Sequence, residues 1–311
     1  MIYTVTLNPA LDKTIVISGF LADHVNYVEQ MRIDPGGKGI NISKVLNGLG
    51  VQSVAMGILG GGTGQYIREC LDEYSIQHDF VVTEEPTRTN LKIVDPENHQ
   101  NTDINEKGVR VSQDTVRKVM TKLMGKVVGG DIVVLAGTVP PGVNDDIYGE
   151  WTKSLHRIGG KVYLDANGML LRNGVKAGPD LIKPNKDEFA GLVGEKKATI
   201  AEIAQAANEY VRQGIGQVVI SLGGNGAVFV RQGEAIYANA LKVPVKSTVG
   251  AGDAAMAAFL MGAERRESWE ETIRTAIAAG AASVMCEGTQ SVLLSTVENL
   301  KKSVTMEKIS V

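Results

Sequence analysis

Short apolar segments alternate regularly with helical segments from about residue 112 onward, and this alternation constrains the fold most strongly. Apolar runs of strand length end near residues 136, 165, 182 and 221, and helical periodicity follows most of them. Such a βα alternation predicts a parallel sheet with helices on both faces. Ligands of these sheets bind at the carboxyl ends of the strands, so the loops after the strands are where a site is expected.

The N-terminal part departs from this alternation. Residues 2–7 have the pattern of a first buried strand, but 13–17 and 76–105 contain short alternating segments separated by turn residues. Alternation of this kind is typical of hairpins in a sheet with one exposed face. We therefore predict a small sheet, made of about residues 12–35 and 76–108, that serves as a lid on a single domain spanning residues 1–311.

Composition excludes several classes of function. The net charge of -3 and the aromatic content of 5% argue against a nucleic-acid partner. The chain begins without the basic region of a signal peptide, and its best apolar run, residues 126–141, is too short to span a bilayer. Cys70 and Cys286 match no metal spacing, and neither do the four histidines. We expect a cytoplasmic protein with no nucleic-acid or membrane partner.

The stretch from Ser247 to Met261 is the most informative part of the chain. A β-branched run ends at Gly250-Ala251-Gly252-Asp253, where an apolar, alanine-rich helix begins. The first turn of such a helix presents bare backbone N–H groups and a positive dipole end, which together suit a phosphate group. Asp253 at this point suits a general base beside a transferring phosphoryl group, but most aspartates at helix starts are only caps. Both interpretations stay open on this stretch alone.

The same stretch also fits a rival pattern. Residues 250–255 match the loose Gly-x-Gly-x-x-Gly/Ala pattern of dinucleotide-binding folds. That motif requires a second strand after its helix, ending in an acidic residue, whereas another helix follows here. We therefore reject a dehydrogenase.

Further polar residues follow the predicted strands and are expected at one edge of the sheet. Asn185 and Glu188 carry oxygens suited to Mg²⁺, directly or through water. The glycines of 223–226 allow the backbone to approach a nucleotide closely. The whole set comprises Asn8, Asp12, Gly137, Thr138, Asp165, Lys183 to Glu188 and Ser221 to Gly226. Each has an ordinary interpretation as a turn or helix start, but their convergence predicts a ligand site.

Three basic residues complete the candidate site. Lys38 lies in a second glycine-rich helix start, residues 35–41, which lacks the spacing of a Walker A loop. Its charge suits an anionic group, and Asn41 in the same segment suits hydroxyl groups. Arg88 and Lys92 lie on the predicted lid, where they suit a substrate phosphate. Ordinary surface charge on a hairpin is a stronger alternative for Lys92 than for Arg88.

Five segments, taken in order, resemble the motifs of the ribokinase-like (PfkB) sugar kinases. They are Asn8-Pro9-Ala10-Leu11-Asp12, Gly36-Gly37-Lys38-Gly39-Ile40-Asn41, Thr87-Arg88-Thr89-Asn90, Lys183-Pro184-Asn185-x-x-Glu188 and Thr248-Val249-Gly250-Ala251-Gly252-Asp253. The resemblance covers essentially the whole chain and implies a three-layer α/β/α sandwich with a mainly parallel central sheet and a β-sheet lid. Within the family the motifs are most similar to those of bacterial kinases of fructose 1-phosphate, and kinases of tagatose 6-phosphate are close relatives.

The resemblance also implies a role for each motif residue. Asp253 would be the general base, and the γ-phosphoryl group would meet the backbone of Gly250, Ala251 and Gly252. The substrate residues would be Asp12, Gly37, Lys38, Asn41, Arg88, Lys92 and Thr138. The ATP residues would be Lys183, Ser221, Gly223, Gly224, Gly226 and Gly252. Mg²⁺ would be held by Asn185 and Glu188. Thr138 and Ala254 depart from the usual serines of the family, and Thr138 keeps the hydroxyl.

The expected activity is ATP-dependent phosphorylation of a ketohexose monophosphate, with fructose 1-phosphate converted to fructose 1,6-bisphosphate. Tagatose 6-phosphate or another sugar phosphate is the alternative substrate, and a non-catalytic sugar-phosphate sensor is the alternative class. The cofactors implied are ATP and Mg²⁺, with the need for a monovalent cation left open. Relatives often pair through the lid, so a homodimer is an expectation.

Overall fold

The computed structural model describes residues 1–197 and 199–311. Its strands are β1 (Ile2–Thr6), β2 (Ala10–Val16), β3 (Gln30–Gly36), β4 (Val54–Gly60), β5 (Gln77–Thr83), β6 (Arg88–Asp95), β7 (Gln100–Asn105), β8 (Ile132–Ala136), β9 (Lys161–Asp165), β10 (Leu181–Ile182), β11 (Gln217–Ser221), β12 (Ala227–Arg231), β13 (Glu234–Ala238) and β14 (Met306–Ile309). Its helices are α1 (Lys38–Gly48), α2 (Gly61–Glu73), α3 (Gln113–Met124), α4 (Ile147–Arg157), α5 (Gly168–Gly174), α6 (Lys186–Val193), α7 (Ile200–Arg212), α8 (Ala251–Arg265), α9 (Trp269–Val284) and α10 (Leu294–Lys301), with short 3-10 helices at Val175–Ala177 and Gly223–Asn225.

The main sheet has ten strands in the order β14-β13-β12-β11-β10-β9-β8-β1-β4-β5. Pairing is parallel from β11 through β5, and β12, β13 and β14 add antiparallel pairs at the other edge. One face is covered by α1, α8, α9 and α10, and the other by α3 to α7, each face with its own apolar core. The predicted three-layer α/β/α sandwich with a mainly parallel sheet is confirmed.

Helix α8 lies at the centre of one of these layers. Its residues from Met256 to Gly262 are all buried, packed against α1 and α9. Alanine and glycine dominate the sequence, so backbones approach closely on several sides, and an apolar surface all round requires burial. This fixes the N-terminus of α8 rigidly at the carboxyl edge of the sheet.

A second sheet has four strands in the order β3-β2-β6-β7. Strand β2 pairs antiparallel with β3 and parallel with β6. The chain enters this small sheet from the carboxyl end of β1 and again from the carboxyl end of β5. At both points the chain leaves the main sheet at the edge where ligands of parallel sheets bind, so the small sheet is attached beside that edge.

Three segments differ from the sequence-based expectation. Residues 77–83 form β5, which pairs with β4 in the main sheet, whereas we predicted that they belong to the small sheet. The strand lies at the sheet edge, and only Phe80 and Val81 are buried, so it lacks the continuous apolar run of a central parallel strand. The glycine-rich segment 60–64 predicts a turn but is largely the first turn of α2, and the β-branched run 241–249 predicts a strand but is irregular backbone. Within the described residues, the helices include none that is long and apolar enough to cross a membrane.

Candidate active site

A buried ion cluster lies where α1 begins and where β9 and β10 end. Lys38 Nζ lies 2.7 Å from Asp165 Oδ1, and Lys183 Nζ lies 3.2 Å from Asp165 Oδ2. Asp165 is fully buried and Lys183 is 4% exposed. Burial alone would raise the pKa of Asp165, but the two ammonium groups outweigh it and hold that pKa below its usual value. The same carboxylate holds the pKa of Lys38 above its usual value despite burial. Asp165 is therefore a fixed anion that orients two cations.

Asp253 lies on the other side of these lysines, in the first turn of α8. Its side chain is buried, and Oδ2 accepts a hydrogen bond of 3.0 Å from Asn41 Nδ2 on α1. Burial raises the pKa of Asp253, and the charge of Asp165 adds to this, while Lys38, Asn41 and Lys183 oppose it. A carboxylate with a raised pKa accepts a proton more readily, as a general base must.

The structure excludes Asp253 as the N-cap residue of α8. The N-cap of α8 is Gly250, in the left-handed conformation at φ 88°, and Asp253 is the third residue of the helix. Its carboxylate faces Asn41 rather than serving as the N-cap. Among the described residues, the buried Asn41 Oδ1 lacks a hydrogen-bond partner. A buried acceptor of this kind calls for a donor, and a substrate hydroxyl beside Asp253 would supply one.

The N-terminus of α8 has the backbone donors and the dipole on which the predicted anion site depends. Gly250, Ala251 and Gly252 present backbone N–H groups at the positive end of the helix dipole. The ammonium of Lys183 lies 2.9 Å from the point where a Cβ on Gly252 would be. Backbone donors and a lysine therefore converge on one point, next to Asp253.

A cavity of about 240 Å³ lies between the small sheet and the main domain. The small sheet contributes Asp12, Asn90 and Lys92 to its lining, and the main domain contributes Val249 and Thr289. Asp12 Oδ1 accepts a hydrogen bond of 2.9 Å from Asn90 Nδ2, and burial raises the pKa of Asp12. Because Val249 precedes the first turn of α8, the cavity adjoins the anion site.

Arg88 and Thr138 lie around Asn8, at the junction of the two sheets. Arg88 donates to the carbonyl oxygens of Asn8, at 3.1 Å, and Glu106, at 2.7 Å, and burial lowers its pKa. Thr138 Oγ1 accepts a hydrogen bond of 3.3 Å from Asn8 Nδ2. The predicted substrate residues are thus divided into three groups: Lys38 and Asn41 in the buried centre beside Gly37, Asp12 and Lys92 in the cavity, and Arg88 and Thr138 at the junction.

The predicted nucleotide residues follow β10 and β11. Asn185 and Ser221 form an isolated parallel bridge, so the Lys183 segment and the glycine loop are neighbours. Open space surrounds the positions where Cβ atoms on Gly223 and Gly224 would lie. A Cβ on Gly226 would lie 2.0 Å from the Ala238 carbonyl oxygen, so this glycine is required by the β12–β13 hairpin. Gly223 and Gly224 have room for a ligand, whereas the constraint on Gly226 is internal.

The predicted metal residues form a capping box at the start of α6. Asn185 Oδ1 accepts from the Glu188 N–H and Glu188 Oε2 accepts from the Asn185 N–H, both at 2.8 Å. The Glu188 charge also helps to raise the pKa of Lys38, so it acts on the buried centre. Over residues 1–197 and 199–311, no group of three or more His, Cys, Asp or Glu side chains is arranged to hold a metal ion. The set fits a Mg²⁺ bound through water, because the cap already uses the Asn185 oxygen.

Sequence reasoning did not assign roles to three residues that the structure brings to the site. Asp165 was one of the polar residues at strand ends, but its two lysine partners come from distant segments. Lys44 and Thr289 carried no signal as a pair, because 245 positions separate them. A charged residue that ends an apolar strand, as Asp165 ends β9, was the one available clue.

A helix N-terminus, two lysines and a buried carboxylate with a raised pKa are the kinds of group that transfer of a phosphoryl group to a hydroxyl requires. Residues 5–296 match the pfkB family of carbohydrate kinases, and the chain belongs to this family. It is 35% identical over 286 residues to the 1-phosphofructokinase of Borreliella burgdorferi, covering 92% of each chain. It is 32% identical over 287 residues to the 1-phosphofructokinase of Bacillus subtilis, covering 92% of this chain and 93% of the other.

The fold is also similar to that of a solved kinase. The crystal structure of phosphofructokinase-2 from Escherichia coli, in complex with substrates and products, superimposes with a TM-score of 0.93. The two sequences are 27% identical, and the match covers 97% of this chain and 98% of the other. The ribokinase-like fold that the motifs imply is therefore confirmed.

Proposed function

We propose that this chain phosphorylates fructose 1-phosphate at O6 with ATP, giving fructose 1,6-bisphosphate. The observation that carries the proposal is the buried Asp253, held by Asn41 next to the helix N-terminus and the two lysines. Relatives at 32% to 36% identity that bear the name 1-phosphofructokinase support this choice of sugar.

The geometry supports a reaction in which the acceptor hydroxyl lies beside Asp253, whose Oδ2 is bonded to Asn41. Asn41 Oδ1 would accept a hydrogen bond from another hydroxyl of the sugar. Asp253 would take the proton of the attacking hydroxyl as its oxygen bonds to the γ-phosphorus of ATP and the bond from that phosphorus to the leaving ADP breaks. The N–H groups of residues 250–252, with Lys38 and Lys183, would stabilise the charge on the transferring group. These dipoles and charges are fixed before substrate binds, so the reaction requires little reorganisation of the protein.

The nucleotide would lie along the loop after β11, where Gly223 and Gly224 leave open space, with Ser221 and Lys183 beside it. Glu188 and Asn185 would hold Mg²⁺, which shields phosphate charge when bound. In this chain Glu188 would act mainly through water, since its capping box fixes its orientation. The need for a monovalent cation stays open, and replacing K⁺ with a bulky organic cation in the assay tests it.

The small sheet is proposed to be a lid that closes on the sugar and excludes water. We also propose a homodimer formed through this sheet in the cytoplasm. Exposed apolar side chains on the segment from β2 into β3 support such a pairing: Val25 is 81% exposed, Tyr27 82% and Met31 57%. An E. coli phosphofructokinase-2 structure is described as a tetrameric inhibited form, which concerns that protein alone.

The test is ADP release by the purified chain with fructose 1-phosphate, fructose 6-phosphate, tagatose 6-phosphate and no sugar. The highest kcat/KM is expected with fructose 1-phosphate. A higher value with tagatose 6-phosphate would establish the alternative substrate instead. If no ADP is released with any of the sugars, but binding of one of them shifts the melting temperature, the chain would be the non-catalytic sensor.

A further inference from the structure

Lys44 is a buried lysine that the reaction described above does not use. It lies in the middle of α1 and is 2% exposed. Its ammonium donates to the Pro35 carbonyl oxygen at 3.2 Å and to Thr289 Oγ1 at 3.1 Å. Pro35 belongs to the end of β3 in the small sheet, and Thr289 lies in the connection between α9 and α10. One side chain therefore joins three separate parts of the chain.

The connection that contains Thr289 is held against α1 at a second point as well. Ser291 Oγ donates a hydrogen bond of 2.9 Å to the Lys44 carbonyl oxygen. Glu287 at its start contacts the small sheet, with Oε2 3.3 Å from Arg32 Nη1. The segment 287–291 is thus fixed between α1 and β3, and Lys44 is bonded to it through both its ammonium and its carbonyl group.

This segment forms part of the wall of the cavity that contains Asp12. Thr289 and Gly288 line the cavity from the main domain, opposite Asp12 and Lys92. Loss of the Lys44 contacts would free this wall on one side and the end of β3 on the other. The shape of this cavity therefore depends on Lys44. The cavity also contains Asp12, which is proposed to bind the sugar.

The ammonium of Lys44 and the carboxylate of Asp12 both lie at the end of β3: Lys44 donates to the Pro35 carbonyl oxygen, and Asp12 Oδ2 lies 2.0 Å from the point where a Cβ on Gly36 would be. Burial lowers the pKa of Lys44, although the carboxylates of Asp34 and Asp12 attract its ammonium. The charge of Arg32 lowers the pKa of Lys44 further, and Cys70 raises it with the smallest effect of these neighbours. Around Asp12, burial raises the pKa, while Asn90, Lys44 and Arg88 lower it and Asp34 raises it. Lys44 is thus one of two cations that favour the ionised form of Asp12.

We propose that Lys44 is a positioning residue for the sugar phosphate: it fixes the Thr289 wall of the cavity and holds a positive charge against Asp12. The proposal rests on the sugar-phosphate kinase activity proposed above. It adds a residue that touches no reacting atom and acts through Asp12 and Thr289. Such a residue affects substrate binding rather than the chemical step.

The test compares Lys44→Met, Lys44→Arg and the unaltered chain for KM of the sugar phosphate, KM of ATP and kcat across a range of pH. In Lys44→Met the sugar KM should rise by about ten-fold, as expected for loss of charged hydrogen bonds, with kcat and the ATP KM little changed. The rise in the sugar KM should be larger at lower pH. Without the charge of Lys44, Asp12 takes up a proton at a higher pH than it does in the unaltered chain. Lys44→Arg keeps the charge and should restore the pH profile.

Ser291→Ala is the matched control, because it removes one of the two hydrogen bonds between Lys44 and the segment 287–291 without removing charge. It should give a smaller rise in the sugar KM that is the same at every pH. A Lys44→Met sugar KM within about two-fold of normal, or a rise independent of pH, overturns the proposal. If Lys44→Met does not fold, a pH profile of Lys44→Arg that departs from normal would overturn it equally. Inactivity of the unaltered chain would instead contradict the proposed kinase.

Discussion

The two halves of the candidate site are built differently. At the edge of the main sheet, Asp165, Lys183 and Asp253 are buried and bonded to partners within the protein. In the small sheet, Asp12 and Lys92 are half-buried and face a cavity of about 240 Å³. Groups held by buried partners are preorganised for charge development, whereas half-exposed groups adjust to a ligand. We infer that the chemistry belongs to the rigid half and sugar recognition to the adjustable half.

A second difference exists inside the rigid half, between two buried carboxylates. Asp165 is bonded to two ammonium groups, and its pKa lies below the usual value. Asp253 is bonded to the neutral amide of Asn41, and burial raises its pKa. Two buried carboxylates therefore have pKa shifts of opposite sign, because their hydrogen-bond partners differ in charge. The first carboxylate is suited to hold cations, and the second to accept a proton.

The largest effect is expected from Asp253→Asn, which removes the proton acceptor at nearly constant shape. The kcat should fall by about 100- to 10,000-fold, the contribution typical of a positioned base, with both KM values little changed. In the unaltered chain kcat should fall as the pH decreases through the raised pKa of Asp253, since only the ionised form accepts a proton. ADP release under saturating substrates measures both.

Asp114→Asn is the control for this variant, because Asp114 is an exposed acid on α3. It should turn over normally. Near-normal turnover of Asp253→Asn would contradict the assignment of the two carboxylates and leave Asp253 a structural role only.

The next effect concerns stability and the other carboxylate. Asp165→Asn leaves the buried ammonium of Lys183 and the partly exposed one of Lys38 without their anion, and the free energy of unfolding should fall by roughly 3 kcal/mol. Urea unfolding measures this. The sign with pH follows from the lowered pKa: the stabilisation is present above the unfolded value of 3.8 and is lost as the pH falls through the lower folded value. Between neutral and acidic pH, the free energy of unfolding should therefore fall less in the variant than in the unaltered chain.

Lys38→Met is the matched comparison for Asp165→Asn, because it leaves Lys183 to balance the carboxylate. Its loss of stability should be clearly smaller, since Lys38 is partly exposed and Lys183 is buried. Equal losses in the two variants would show that Asp165 does not hold the cluster together.

Much of the rigid half could be predicted from the sequence. The helix start proposed as the anion site lies within one heptapeptide, so its glycines and aspartate could be recognised from the local sequence. The sheet followed from the βα alternation, which is also a local pattern. The pairing of Lys38 with Asp165 could not be predicted, because it depends on where β9 ends relative to α1.

The small sheet was harder to predict for a physical reason. An edge strand of a large sheet and a strand of a small sheet are both covered incompletely: most residues of β5 and β6 are at least partly exposed, and neither strand is a continuous buried run. Which sheet a strand joins depends on the strand that it pairs with. The residues of a strand do not show which strand that is. Contacts such as Lys44 with Thr289 are equally invisible, since a buried lysine has no local signature.

Two glycines of the nucleotide loop sharpen the contrast between fixed and ligand-facing positions. Gly226 has φ 89° and ψ -140°, and a Cβ there would strike the Ala238 carbonyl. Gly226→Ala should therefore destabilise the fold by about 2 kcal/mol, measured by urea unfolding. Gly224 has open space at its Cβ position, so Gly224→Ala should leave stability within about 0.5 kcal/mol and raise the KM of ATP. A reversed pattern would exclude this loop from the nucleotide site.

The smallest effect is expected in the adjustable half, from Lys92→Met. Lys92 lines the cavity, and its half-buried charge would contact a sugar phosphate without touching the buried centre. The KM of the sugar phosphate should rise roughly ten-fold, with kcat and the KM of ATP unchanged. Salt should reduce the difference between variant and unaltered chain, because a partly exposed charge is screened.

Lys118→Met on α3 provides the control, since Lys118 is an exposed lysine paired with Asp114. It should leave the sugar KM unchanged at every ionic strength. A fall in kcat for Lys92→Met, with the KM of the sugar phosphate intact, would place Lys92 in the chemistry. The division between a rigid half that transfers the phosphoryl group and an adjustable half that recognises the sugar would then fail, because a half-exposed lysine of the small sheet would have to reach the transferring group.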